Sequence, residues 1–276
     1  MAAITAADER ELRRKRLFLF DMDGTIYLGD VLFAGMTELL EQIRDIGGRA
    51  VFVTNNSSKS VTDYVAKLRH MGIEVGPDDF MTSTQALGLH LAATHRGGAI
   101  YVLGTRALLT TLRDDYALPV TDRLQPGITT LVLGFDTELT FGKLQDACQL
   151  LADPGLTYLA TNPDLVCPVE YGYVPDCGSI AQILRNATGR MPDVIGKPEP
   201  AMIELAMKWT GHTPPETVVV GDRLYTDVAS GVNAGVCSVL VLSGESTLQT
   251  IAESRVKPDI VLRDISQLNE ILRGSK

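Results

Sequence analysis

Cysteine is scarce in this chain: four in 276 residues, Cys148, Cys167, Cys177 and Cys237, no two of them at the spacing of a zinc or iron–sulfur site. That excludes a cysteine metal centre, and the four are expected as reduced, mostly buried thiols. The four histidines, His70, His90, His95 and His212, are as scattered, so a metal here is expected on oxygen ligands. No apolar run approaches the length of a membrane span, and the start of the chain lacks an apolar stretch before a small-residue cleavage site. The expectation is a cytoplasmic protein with no membrane partner. An excess of positive charge is also missing. A formal net charge of -9 sets most of the surface against nucleic acid and anionic lipid, so an anionic substrate would need a local site. The one basic run, Arg13-Arg14-Lys15-Arg16, is short and reads as the solvated edge of an N-terminal arm. The single tryptophan, Trp209, lies on a helical face and reads as core.

What is present is ordinary globular material, 45% hydrophobic and long enough for two modest cores. Apolar runs of strand length alternate with stretches of helical period. Leu17-Phe18-Leu19-Phe20 precedes a helix carrying Leu39, Leu40, Ile43 and Ile46 on one face and stopped by Gly47-Gly48. Residues 50–53 and then Val61, Tyr64, Val65 and Leu68 repeat the plan. Toward the C-terminus, 193–195, 218–220, 238–242 and 260–261 read as strands, with helices beginning near Pro200 and Thr226. This alternation predicts an α/β fold, a Rossmann-like, doubly wound parallel sheet covered on both faces.

The middle of the chain has its own series: strands at 100–103, 130–133 and 158–160, and helices from Ala107, Phe141 and Ser179. It reads as a complete smaller α/β domain inserted into the first. The expected division is a discontinuous core of residues 1–82 and 191–276, with the insert at 83–190.

Four polar clusters fall at predicted strand ends of the outer segments: Asp21-Met22-Asp23-Gly24-Thr25, Thr54-Asn55-Asn56-Ser57, Gly196-Lys197-Pro198, and Gly221-Asp222 with Asp227. In a parallel sheet all carboxyl ends share one edge, so these clusters are expected to converge. Each has a job in phosphoryl transfer. Asp21 is the candidate nucleophile, and its approach to a phosphate needs countercharge, since two unit charges about 4 Å apart cost about 4 kcal/mol at an effective dielectric of about 20. Mg²⁺ on Asp21, Asp222 and the backbone carbonyl of Asp23 would supply most of it, and Lys197 the rest. Thr54 and Asn55 would donate to phosphate oxygens, and Gly24 would let its N–H approach closely. Asp23, two positions after the nucleophile, is placed to protonate the departing alkoxide and then to activate water. Asp227 would orient Lys197 or a metal-bound water. In the insert, Asn162 and Asp164 precede a Pro- and Gly-rich loop, 167–178, expected to contact the leaving group, with Tyr171 and Tyr173 available to stack on an aromatic one.

Asp-x-Asp-Gly-Thr, Thr-Asn, Lys-Pro and Gly-Asp-x₄-Asp, in this order, resemble the haloacid dehalogenase superfamily over nearly the whole chain after about residue 16. Too few residues separate Thr25 from Thr54 for an inserted cap domain, whereas enough separate Thr54 from Lys197. An insert there is similar to the 4-nitrophenyl phosphatase and NagD-like branch, as are Thr161-Asn162-Pro163-Asp164 and Thr54-Asn55-Asn56-Ser57-Ser58. The resemblance implies a Mg²⁺-dependent phosphatase acting on a small phosphorylated metabolite such as a sugar phosphate, nucleotide or pyridoxal phosphate. It also implies a homodimer through the cap. The alternatives are a phosphotransferase or phosphomutase, a phospho-aspartate receiver module, and a scaffold that keeps the site only as a binding partner.

Overall fold

A computed structural model describes residues 4–169 and 171–274. Glu170, in the expected loop 167–178, lies outside the described residues. The chain divides into two compact units, one of Met1–Thr54, Val65–Met81 and Lys197–Lys276, the other of Asn55–Tyr64 and Thr82–Gly196.

The first unit is built on a six-stranded sheet in the order Ile260–Leu262, Cys237–Val241, Thr217–Gly221, Leu17–Phe20, Arg49–Thr54, Phe80–Thr82. Leu17–Phe20 pairs parallel with both neighbours, Phe20 lying opposite Val220 on one side and Phe52 on the other. All four of its residues are fully buried, as a strand covered on both faces requires. Each such side chain contributes roughly 1.5–3 kcal/mol relative to exposure. The chain leaves this strand toward Arg49–Thr54 on one side and later returns at Thr217–Gly221 on the other. Its carboxyl end is therefore the switch point where open α/β sheets bind ligands. The helix Met36–Asp45 buries Leu39, Leu40 and Ile43.

The second unit holds a five-stranded parallel sheet, Asp193–Val194, Thr157–Ala160, Ile128–Leu133, Ala99–Leu103, Val120–Thr121. Its core includes Tyr101, Leu131, Leu133, Tyr158 and Leu184.

Several expectations need correction. Asp193–Val194 was assigned to the outer sheet, but it pairs with Thr157–Ala160; the main segment of the second unit runs from Thr82 to Gly196, against the expected 83–190, and the unit also takes in Asn55–Tyr64. The expected loop 167–178 contains an antiparallel hairpin, Val166–Val169 with Gly172–Pro175. Its prolines are tolerated because a two-stranded hairpin has only edge strands. Tyr171 and Tyr173 are exposed on it. The basic run is not simply solvated. It ends the helix Ala6–Arg14, and Lys15 is buried, donating to the Pro215 carbonyl at 2.8 Å and paired with Glu11 at 2.7 Å. Trp209 is exposed, with the Arg49 guanidinium 5.1 Å from its ring centroid. Of the four thiols, all free, only Cys177 is buried, and burial pushes it up to about 12.

Candidate active site

In the first unit the register of the central strands sets the geometry. Asp21 follows Phe20, its N–H donating to the Val220 carbonyl at 2.9 Å, which brings it beside Gly221 and Asp222 at the end of the neighbouring strand. Carboxylate oxygens of Asp21, Asp222 and Asp227 lie within 4.8 Å of one another. Lys197 reaches this cluster although it does not follow a strand of the same sheet. Its Nζ lies 2.6 Å from Asp21 Oδ1 and 2.6 Å from Asp227 Oδ1, and donates to the Val53 carbonyl at 3.2 Å. The expectation that all four clusters sit at the edge of one sheet is thus met by three strands, with Lys197 entering from the chain beyond Gly196.

Each carboxylate is held differently. Asp227, on the turn Leu224–Val228, is fully engaged: Oδ1 takes Lys197, and Oδ2 accepts the Arg223 N–H at 3.0 Å. Asp222 accepts the Glu245 N–H on Oδ2 at 2.6 Å and the Thr25 hydroxyl on Oδ1 at 3.4 Å. Asp21 keeps 14% of its side-chain surface open, which leaves the carboxylate within reach of a ligand. Asp23 Oδ2 accepts the Tyr27 phenol at 3.3 Å. Thr54 closes its strand and is buried.

Two glycines let this packing close. Gly24 sits at φ +85°, where an added Cβ would lie 2.6 Å from Asp222 Oδ2; a Cβ at Gly244 would overlap the same carboxylate. The expected role of the Gly24 N–H as a phosphate donor is corrected, because it donates to the Tyr27 carbonyl at 2.8 Å.

Burial and crowding dominate the electrostatics. Burial, then Asp227, push the Asp222 carboxyl up to about 7. Burial and Asp227 likewise raise Asp21, against the opposing pull of Lys197. For Lys197 burial works against the charge, but Asp21 and Asp227 outweigh it and hold the ammonium above its ordinary range.

In the second unit Asn55, next in the chain after Thr54, is the centre of a separate network. Its Nδ2 donates to Asp164 Oδ2 at 2.9 Å, and its carbonyl accepts Asn162 Nδ2 and the Ser83 hydroxyl, each at 2.7 Å. Asn162 and Asp164 are buried. Both are candidate substrate-binding residues; here their side chains engage Asn55, and Asn162 Oδ1 also accepts the Asp164 N–H at 3.3 Å.

Residues 18–116 match the family model for haloacid dehalogenase-like hydrolases, and residues 194–268 match a HAD-hydrolase-like model. An acid sugar phosphatase of Staphylococcus aureus is 32% identical over 256 residues, 93% of this chain and 97% of that protein. The chain belongs to the haloacid dehalogenase-like hydrolases. A 4-nitrophenylphosphatase of Thermotoga maritima has the same fold, with a TM-score of 0.87 at 39% identity over 96% of this chain and 99% of its own. A glycerol phosphate phosphatase of Mycobacterium tuberculosis, solved in complex with magnesium, has a TM-score of 0.87 at 30% identity, over 95% of this chain and 79% of that one. This hydrolase lies in the NagD and 4-nitrophenylphosphatase branch and is a phosphatase.

Sequence reasoning missed Tyr27, Thr25 as a partner of Asp222, and the stretch Ser243-Gly244-Glu245, where Ser243 Oγ also donates to the Gly24 carbonyl at 2.8 Å. The signal for the last was available: it follows Cys237–Val241, another parallel strand of the same sheet.

The raised Asp222 carboxyl gives the phosphatase an unusual pH dependence. Its unfolded value is 3.8 and its folded value about 7, so the folded form holds the proton more tightly. The stability this contributes is fully present below pH 3.8 and is lost as pH rises through about 7. With EDTA present, urea denaturation should show lower stability at pH 8 than at pH 5, by an amount on the order of 2 kcal/mol. Equal or greater stability at pH 8 would contradict the crowding described above.

Proposed function

We propose that this phosphatase hydrolyses small phosphate monoesters through an aspartyl-phosphate on Asp21. The observation that carries the reading is the buried Lys197 ammonium held between Asp21 and Asp227 at 2.6 Å from each. It places a fixed cation on a carboxylate that remains open, as attack on an anionic phosphate requires.

The Asp21 carboxylate attacks phosphorus, forming the acyl–phosphate bond as the ester P–O bond breaks. Asp23 gives its proton to the departing alkoxide. In the second step Asp23 takes a proton from water as that water attacks phosphorus, and inorganic phosphate and the Asp21 carboxylate are released. Lys197 fixes the rotation of Asp21 through Oδ1 and neutralises charge throughout, and Asp227 acts on the reaction by holding Lys197. Thr54 is the proposed donor to phosphate oxygens.

The donor set fits a hard divalent cation such as Mg²⁺. It is all oxygen and crowded within 4.8 Å, and burial, then Asp227, push its Asp222 up to about 7, a cost to the carboxylate charge that a dication would offset. Asp21, Asp222 and the Asp23 carbonyl would hold it; Asp227 is less suited because its Oδ1 takes the Lys197 ammonium at 2.6 Å and its Oδ2 the Arg223 N–H at 3.0 Å, whereas Asp222 Oδ1 has the Thr25 hydroxyl at 3.4 Å. When bound, the ion supplies countercharge to the phosphate oxygens.

The test is phosphate release from a panel of sugar phosphates, nucleoside monophosphates, pyridoxal phosphate, phosphoglycolate, glycerol phosphate and 4-nitrophenyl phosphate, with Mg²⁺ and with EDTA. Turnover should require Mg²⁺ and return when Mg²⁺ is restored. Undiminished hydrolysis in EDTA would rule out the metal, and strong preference for one ester would name the substrate.

A further inference from the structure

We propose that the loop Ser243-Gly244-Glu245-Ser246 positions the cation site, with Glu245 anchoring the loop against Asp222 and thereby setting part of the affinity for a divalent ion. The inference rests on the reading of Asp222 and the Asp23 carbonyl as cation ligands.

The loop is fixed at both ends. It leaves the strand Cys237–Val241, whose Leu240 lies opposite Gly221 in the neighbouring strand, so it starts beside Asp222. The Leu242 N–H donates to the Leu262 carbonyl at 3.1 Å. At the far end Thr247 caps the helix Leu248–Glu253 by accepting the Thr250 N–H at 3.2 Å. Leu242 and Ile251 pack against the buried Leu224, Val228 and Leu240, which ties both ends of the loop to the segment that follows Asp222. Between these anchors the Ser243 hydroxyl donates to the Gly24 carbonyl at 2.8 Å, one residue beyond Asp23. The Glu245 N–H donates to Asp222 Oδ2 at 2.6 Å, and the Ser246 N–H to the Asp222 carbonyl at 3.2 Å. A single short loop therefore touches both elements that would supply ligands. Gly244 lies against the Asp222 carboxylate so closely that a Cβ there would overlap it, and its φ is not positive. Glycine is required at this position by space and not by backbone conformation.

The Glu245 side chain closes the arrangement. Its Oε2 lies 3.0 Å from Arg223 Nε and accepts the Tyr225 phenol at 3.4 Å. Arg223 is the residue after Asp222, and its own N–H donates to Asp227 Oδ2 at 3.0 Å. Glu245 is thus held to the chain on the far side of Asp222 while its N–H stays on Oδ2, a charge-assisted contact that restrains rotation of the carboxylate. A ligand whose orientation is set in advance loses less freedom when an ion binds, and outer groups that hold a ligand in this way tune metal affinity.

The test is Mg²⁺ binding itself, followed by titration calorimetry on the metal-free protein, with thermal midpoints in EDTA measured alongside. Glu245→Ala should weaken Mg²⁺ binding about tenfold, and Gly244→Ala by about tenfold to a hundredfold, the range met when a group holding a metal ligand is lost. Glu245→Gln keeps an oxygen for Arg223 and Tyr225 and should stay within about threefold of the unmodified protein. A loop that merely supported the fold would lower the midpoint in EDTA and leave the dissociation constant of the folded protein unchanged. Affinities of Glu245→Ala and Gly244→Ala within about twofold of the unmodified protein would therefore overturn the proposal. Binding as weak in Glu245→Gln as in Glu245→Ala would overturn it too, because the effect would then lie in the charge of Glu245 and not in its hold on the loop. Should Gly244→Ala fail to fold, the two Glu245 variants carry the test, at a side chain that is 35% exposed. Asp222→Asn checks the underlying reading separately. It should remove most of the affinity, and Mg²⁺ binding undiminished in that variant would take away the role of Asp222 and the proposal with it.

Discussion

Asp21→Asn should lower kcat by about four orders of magnitude or more, on the scale seen when a catalytic nucleophile is removed. The carboxamide keeps the shape of the side chain but is too weak a nucleophile to attack phosphorus. The fold should survive. Burial and the neighbouring Asp227 already hold the Asp21 carboxyl well above the usual carboxylate range, so its negative charge is a burden on the folded state that the amide removes, and Lys197 retains Asp227 as partner. The thermal midpoint in EDTA should be unchanged or higher than that of the unmodified protein. A variant that kept more than a hundredth of the activity would overturn the role given to Asp21, about two orders of magnitude above the expected residue.

Lys197→Met should be the second largest effect, and it should differ in kind. The side chain is 3% exposed and bridges two carboxylates. Its removal leaves Asp21 and Asp227 buried together without a cation, a loss of about 3–5 kcal/mol when a buried pair is broken. Activity should fall by about 10²–10³, the cost typical of losing one preorganised group facing developing charge. Unlike Asp21→Asn, the stability loss should grow with pH, because Asp21, which burial and then Asp227 already hold above the usual carboxylate range, can escape repulsion by taking up a proton as pH falls. Urea denaturation at pH 5 and pH 8 would measure it. A loss that is the same at both values would mean that Lys197 is not the principal countercharge of the cluster.

What the sequence made legible was chemistry tied to strand ends. Asp21 and Asp222 could be placed because each follows an unbroken apolar run, and such runs in alternation with helices form a parallel sheet. Lys197 could be named but not correctly placed. Its preceding strand, Asp193–Val194, is two residues long, and so short a run carries no pattern to say which sheet it joins; that is settled by its pairing with Thr157–Ala160. The hairpin Val166–Pro175 was hidden by its own prolines and glycine, which read as loop residues although edge strands accept them. Lys15 looked like one more surface charge in a basic run, since its partner carbonyl on Pro215 lies two hundred positions away. The same limit applied to Tyr27: its position four residues after Asp23 was visible, but the closed turn that folds the phenol back onto the carboxylate was not.

The central claim, a covalent aspartyl-phosphate, is tested most directly by rapid acid quenching of the Mg²⁺-loaded protein with a phosphate-labelled ester, followed by borohydride reduction and peptide mapping. Label should appear on the protein within one turnover and be lost as free phosphate is released. Borohydride should convert Asp21 alone to homoserine, and Asp21→Asn should carry no label. Turnover without labelled protein at any quench time, or with label on a residue other than Asp21, would contradict the mechanism.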